Sequence, residues 1–200
     1  MPNPGSAAGT LGDPTLAMGG PGVFGGGSFA ISTEGNIARQ IKSVAAMVTP
    51  STTAADIVVA VVSIPAGSLD ADGRGLSILA QGMNAATANV KTAKLWFNPT
   101  TAVINAAIVG GTLLATTGAL ASNGTAWQLT GKVFKRGGSN TNTQTTSSGG
   151  AIVGIAHVGI SNAVDTTAVE GAPILVAVTI NNATAANDSG LTLLQIDGIN

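Results

Sequence analysis

Apolar and polar positions alternate most clearly along Val90-Lys91-Thr92-Ala93-Lys94-Leu95-Trp96-Phe97. Side chains on a strand point to opposite faces in turn, so Lys91, Ala93, Leu95 and Phe97 share one face. Val90, Thr92, Lys94 and Trp96 share the other. Residues 127–136 show the same alternation, with Trp127, Leu129, Gly131 and Val133 against Gln128, Thr130, Lys132, Phe134 and Arg136. Both tryptophans of the chain lie in these two strands, and aromatic side chains bury the most area per residue. The pair is expected at the middle of a β core, with Leu95, Phe97, Trp127, Leu129 and Val133 buried.

Other segments fill in around this pair. Residues 56–64 are apolar on both faces, Ile57, Val59 and Val61 against Val58, Val62 and Ile64, which predicts a strand covered on both sides. A long turn at 65–75 leads into a strand over 76–82, and Asn98-Pro99 closes the strand that begins at Val90. Residues 40–48 read as a first strand, although Ile37, Ile41, Val44 and Ala45 also fit helical spacing. Residues 151–160, 173–181 and 191–199 complete the strands, and Ile174, Val176, Val178 and Ile180 form one apolar face. About eight strands at this turn spacing predict an all-β, antiparallel β-sandwich of jelly-roll type.

Two stretches are harder to place. No charged residue occurs between Leu95 and Gly131, and 102–121 is mostly apolar. Asn105, Thr112, Thr116, Thr117 and the Gly110-Gly111 pair interrupt it, and a basic anchor is missing on the near side, so a membrane span fits poorly. Two short buried strands around the Gly-Gly turn are expected instead. Residues 137–150 contain no apolar side chain and are expected as a surface loop.

The first 28 residues differ from the rest. Pro2, Pro4, Pro14 and Pro21 alternate with glycines, a composition that neither forms a helix nor packs a core. This gives three regions: an extended arm over 1–28, a connector with the first element over 29–53, and the sandwich over 54–200. The arm is either a loose tail or a segment that orders on a neighbour. In the second case its sparse apolar residues, Leu11, Leu16, Met18, Val23 and Phe24, are the partner-binding positions. At about 3.3 Å per residue the arm reaches on the order of 90 Å. Met1-Pro2-Asn3-Pro4-Gly5 lacks the basic start and apolar run of a cleavable signal.

Composition narrows the function. Charged residues make up 8% of the chain, against roughly 25% in an average soluble domain. So little charge is expected where copies or a partner cover the surface, although a surface of Thr and Asn also keeps a β protein in solution without a partner. The net charge of −1 argues against a general attraction to nucleic acid. Along the chain the charges are sorted. Lys91, Lys94, Lys132, Lys135 and Arg136 are all basic, whereas Asp165, Glu170, Asp188 and Asp197 are all acidic. One subunit's basic edge meeting another's acidic edge is one reading; chance among so few charges is the other.

Candidate chemistry is sparse. The chain has one histidine, His157, in an apparent strand with Val153 and Ile155, and no cysteine, so no transition-metal set is expected. No Gly-x-Ser-x-Gly elbow marks a nucleophile. Asp70-x-Asp72-Gly73 resembles the opening of a calcium loop but lacks its later ligands, and a hydrogen-bonded turn explains it more simply. Gly73-Arg74-Gly75 lacks the Lys-Ser/Thr of a phosphate loop. Neither an enzyme nor a cofactor is expected.

The order of several short motifs resembles a module of tailed-bacteriophage virion structural proteins. It runs through Ser63-Ile64-Pro65-Ala66-Gly67-Ser68-Leu69, Gly73-Arg74-Gly75-Leu76 and Asn89 to Phe97. It continues with Asn123-Gly124-Thr125-Ala126-Trp127-Gln128-Leu129, Lys135-Arg136-Gly137-Gly138, Asn142-Thr143-Gln144 and Ala185-Ala186-Asn187-Asp188. The resemblance covers about residues 56–200 and leaves out the arm and residues 102–121. It implies a β-sandwich or jelly-roll virion protein, often a homotrimer, without catalytic residues. A capsid decoration or cement protein bound to the major capsid protein or another virion protein is the first expectation. A receptor- or glycan-binding module of a head or tail fibre is the second. Either places the protein on the virion, with no nucleic acid or membrane as partner.

Overall fold

The computed structural model describes residues 40–50, 55–121, 123–139, 141–142, 144–154, 156–158, 162–165 and 168–199. The arm and most of the connector, including Leu11, Leu16, Met18, Val23 and Phe24, lie outside the described residues.

The described chain folds as an antiparallel β-sandwich. Its strands are β1 (Gln40–Val48), β2 (Ile57–Ile64), β3 (Gly75–Asn84), β4 (Val90–Phe97), β5 (Thr112–Thr116) and β6 (Leu120–Ala121), followed by β7 (Ala126–Lys135), β8 (Gln144–Val153), β9 (Ala156–Val158), β10 (Asn162–Asp165), β11 (Ile174–Asn182) and β12 (Ser189–Ile199). The larger sheet has the order β1-β12-β3-β7-β8-β10, with β9 on β8. The smaller has the order β2-β11-β4-β5, with β6 on β4. The first strand therefore pairs with the last, and the second with the one before the last. This nesting of antiparallel pairs across two sheets is jelly-roll-like. β1, which falls in the 29–53 connector of the sequence reading, is part of the larger sheet. Its extended pairing to β12 excludes the helical alternative for 37–47 over the strand's span.

The alternation in β4 and β7 sets the core. Lys91, Ala93, Leu95 and Phe97 are all buried, as are Trp127, Leu129, Gly131 and Val133. The two strands lie in opposite sheets and face each other. A Cβ on Gly131 would sit 3.0 Å from Leu114 Cδ1 and 3.1 Å from Leu95 Cδ2, so glycine lets the sheets close at that level. Ile174, Val176, Val178 and Ile180 of β11 all face this core. Lys91 shares the inward face at the end of β4, where its Nζ donates to the Thr87 carbonyl over 2.6 Å.

Three expectations are corrected. The polar stretch 137–150 is not all surface loop, because Gln144–Val153 forms β8 between β7 and β10 and Gln144 is fully buried. β-branched threonines suit a strand without being apolar. The expected strand over 151–160 is broken. Gly154, at φ 59, turns the chain so that β9 folds back on β8 and His157 pairs with Ile152. In 102–121 only the second expected strand forms, as β5. The first half is an exposed loop.

Candidate functional site

Segment 98–111, between β4 and β5, is the feature of the described residues with the strongest character of a contact surface. It begins at Asn98, whose φ of 52 turns the chain out of β4. It then reaches β2, on the far side of β11 from β4. There the Val58 amide donates to the Ala106 carbonyl over 2.9 Å, the Asn105 amide to the Val58 carbonyl over 2.9 Å, and the Ile108 amide to the Asp56 carbonyl over 3.1 Å. A second bridge, Thr101 with Val109, closes the base of the loop. The return into β5 uses Gly110 and Gly111 at φ 67 and 96. A Cβ at Gly110 would meet Thr100 Oγ1 at 2.7 Å, so this turn takes glycine for both conformation and space.

The loop thus joins the two strands that flank β11, whose outer face is closed to solvent. Ala177 and Thr179 are 0% exposed although they point away from the core. Trp96 shares that outer face, and its Nε1 donates to Thr179 Oγ1 over 2.9 Å. Lys94 sits 5.8 Å from the Trp96 ring centre and pairs with Asp56 Oδ2 over 2.7 Å. The two-sided cover expected for 56–64 holds for Ile57 to Ala60, all buried, and lapses at the exposed Ser63.

The loop's own side chains point outward. Val103 is 56% exposed, Ile104 43% and Val109 54%. Sequence reasoning placed these residues in buried strands, because apolar content ordinarily signals burial. Asn105, at φ 64, and the Gly-Gly pair were the signs of an irregular path.

The other candidates have structural partners. Asp70 pairs with Arg74 within the 65–75 turn, and Asp72 Oδ1 accepts the Gly137 amide over 3.0 Å. His157 lies on β9; its side chain lies outside the described residues. Among the described residues no group of three or more His, Cys, Asp or Glu is arranged to hold a metal. The idea of basic and acidic edges meeting between subunits is corrected at its centre, because Lys135 and Glu170 form an ion pair inside one chain, at 0% and 1% exposure. Around it, the Asn142 amide donates to Glu170 Oε1 over 3.0 Å, the Glu170 amide to Asn142 Oδ1 over 3.2 Å, and Lys135 Nζ to Thr141 Oγ1 over 2.6 Å. Asp188, another of the acidic run, is buried as well and accepts from Asn89 Nδ2 over 2.6 Å and Thr87 Oγ1 over 3.1 Å.

A second surface feature is a shallow groove of about 330 Å³ on the larger sheet, lined by Gln81, Met83, Gln128, Ile152 and Thr192 among others. The amides of Gln81 and Gln128 bond across it at 2.9 Å. Comparison of the chain with known protein families, with curated proteins and with solved structures finds no match.

Proposed function

We propose that this chain is a structural protein of a bacteriophage virion, a decoration or cement protein that binds the assembled capsid shell through its N-terminal arm. The observation that carries the reading is a chain with 8% charged residues whose body turns Val103, Ile104 and Val109 outward on a charge-free loop. Apolar side chains concentrated on an otherwise neutral surface mark a contact surface rather than a solvent face. The order of motifs over 56–200 supplies the virion as the setting, and an antiparallel sandwich is the fold that the resemblance implied. The major capsid protein is the proposed partner. The arm residues Leu11, Leu16, Met18, Val23 and Phe24 are the proposed contacts, and the body faces outward.

A low-resolution density map of the whole particle tests this. Sandwich-sized density on the shell surface, lost when the gene is deleted, is expected. Density confined to the tail would contradict it. The groove between Met83 and Ile152 supports a second reading, a glycan- or receptor-binding fibre module. Its paired amides offer donors and acceptors to hydroxyl groups, but the Trp127 ring beside it is 2% exposed and gives a sugar little to stack on. Binding to host-cell glycans that Gln128→Ala abolishes would favour that module.

A further inference from the structure

We infer that Lys135 and Gln144 are the two ends of an internal amide cross-link, which the chain forms on itself with Glu170 as the proton carrier. The two residues stand directly opposite each other on the β7–β8 ladder. Opposed residues on antiparallel neighbours have Cβ atoms about 4.5–5.5 Å apart, so the amine of one side chain and the amide of the other share a small space. Lys135 and Gln144 are 0% exposed and Glu170 is 1% exposed, which keeps solvent from all three groups.

The contacts have the form that amide exchange needs. Glu170 Oε1 pairs with Lys135 Nζ and also accepts from Gln144 Nε2 over 3.4 Å. One carboxylate oxygen thus touches both the nitrogen that attacks and the nitrogen that must leave. A second bond, from Nε2 to the Ala168 carbonyl over 3.3 Å, identifies that end of the amide as its nitrogen. Gln144 Oε1 is buried without a hydrogen-bond partner among the described residues, an arrangement that a bystander glutamine has no reason to keep. Asn142, the other amide on Glu170, has its Oδ1 bonded to the Glu170 amide over 3.2 Å.

The step balances without a further reagent. Glu170 Oε1 takes one proton from the Lys135 ammonium, and the freed amine attacks Gln144 Cδ. That proton passes to Nε2 as the Cδ–Nε2 bond breaks, and ammonia leaves. The second Nζ proton stays on Glu170, so an Nζ–Cδ amide replaces the primary amide and the buried charge pair is gone. Fixed proximity makes the attack unimolecular, and the positioned carboxylate moves the protons. Loss of two charges from the core favours the product. The bond fastens β8, whose first seven residues contain no apolar side chain, to β7.

The test is the intact mass of the purified full chain under denaturing conditions. It should fall short of the sum of its residues by one ammonia, and digestion should give a branched peptide joining Lys135 to Gln144. Glu170→Gln and Lys135→Met should each show the full mass. Wild-type protein at full mass overturns the inference. So does an ammonia loss that persists in Lys135→Met, which would place it elsewhere, as in ring closure at Asn123-Gly124. A branched peptide joining Lys135 to Asn142 overturns the choice of Gln144, and a cross-linked Glu170→Gln protein overturns the part given to Glu170.

Discussion

The indole of Trp127 lies over Gly82 and donates to Ser189 Oγ over 3.0 Å, so one side chain ties β3, β7 and β12 at the same level. Trp127→Ala should cost about 3–5 kcal/mol, the usual loss on emptying a large aromatic site, read as a lower denaturant midpoint; an unchanged midpoint would contradict the packing. Gly82→Ala tests the same level from the other side. Its Cβ would fall 2.1 Å from the Gly190 carbonyl oxygen and 2.2 Å from Trp127 Cζ2. Backbone must shift, for a cost of about 1–3 kcal/mol. At the other end of the sandwich, Glu170→Gln keeps an acceptor oxygen for the Asn142 amide but removes the charge facing Lys135. A buried cation left without its partner should cost about 3–5 kcal/mol. Adding Lys135→Met should recover much of that loss, as measured by urea unfolding.

Among the elements, the strands with strict alternation were legible in the sequence. β4 begins and ends where Val90 to Phe97 predicted, because each inward position carries a side chain that fits the core or, as Lys91 does, finds a carbonyl at its edge. β8 was hidden because Gln144 to Gly150 contains no apolar residue; its strand character comes from Thr145, Thr146 and the ladder offered by β7. The loop at 98–111 was misread for the opposite reason. Its apolar residues Val103, Ile104 and Val109 face out, and its backbone is held by bonds to the edge of β2, which points to the loop as a cover for the outer face of β11. Replacing 99–110 by a short turn should therefore leave both sheets but uncover Ala177 and Thr179. Increased binding of a hydrophobic dye with retained β circular dichroism is the expected result, and unchanged dye binding would show that the loop is not the cover.

For the whole molecule, the sandwich was legible from strand count and spacing, while the nesting of first strand with last depends on pairings between distant segments that no local pattern shows. The candidate site was not legible, since loop 98–111 read as buried strands; the arm marked out by its glycines and prolines lies outside the described residues. The arm also bears the central claim. A segment as rich in glycine and proline as residues 1–28 is not expected to supply its own core, and fixing each residue on a partner costs about 1–2 kcal/mol of backbone entropy. Burying Leu11, Leu16, Val23 and Phe24 returns roughly 1.5–3 kcal/mol each. Backbone pairing to a partner's strand edge must add to these contacts. Under the proposed function, an arm bound in this way across two shell subunits would hold tightly only to the assembled lattice. The most direct test is co-sedimentation of the full chain and of a chain lacking residues 1–28 with capsids of the encoding phage that lack the protein. The full chain should saturate the capsids, and the shortened chain should keep its β circular dichroism and melting curve yet remain in the supernatant. A shortened chain that decorates capsids at full occupancy would contradict the account.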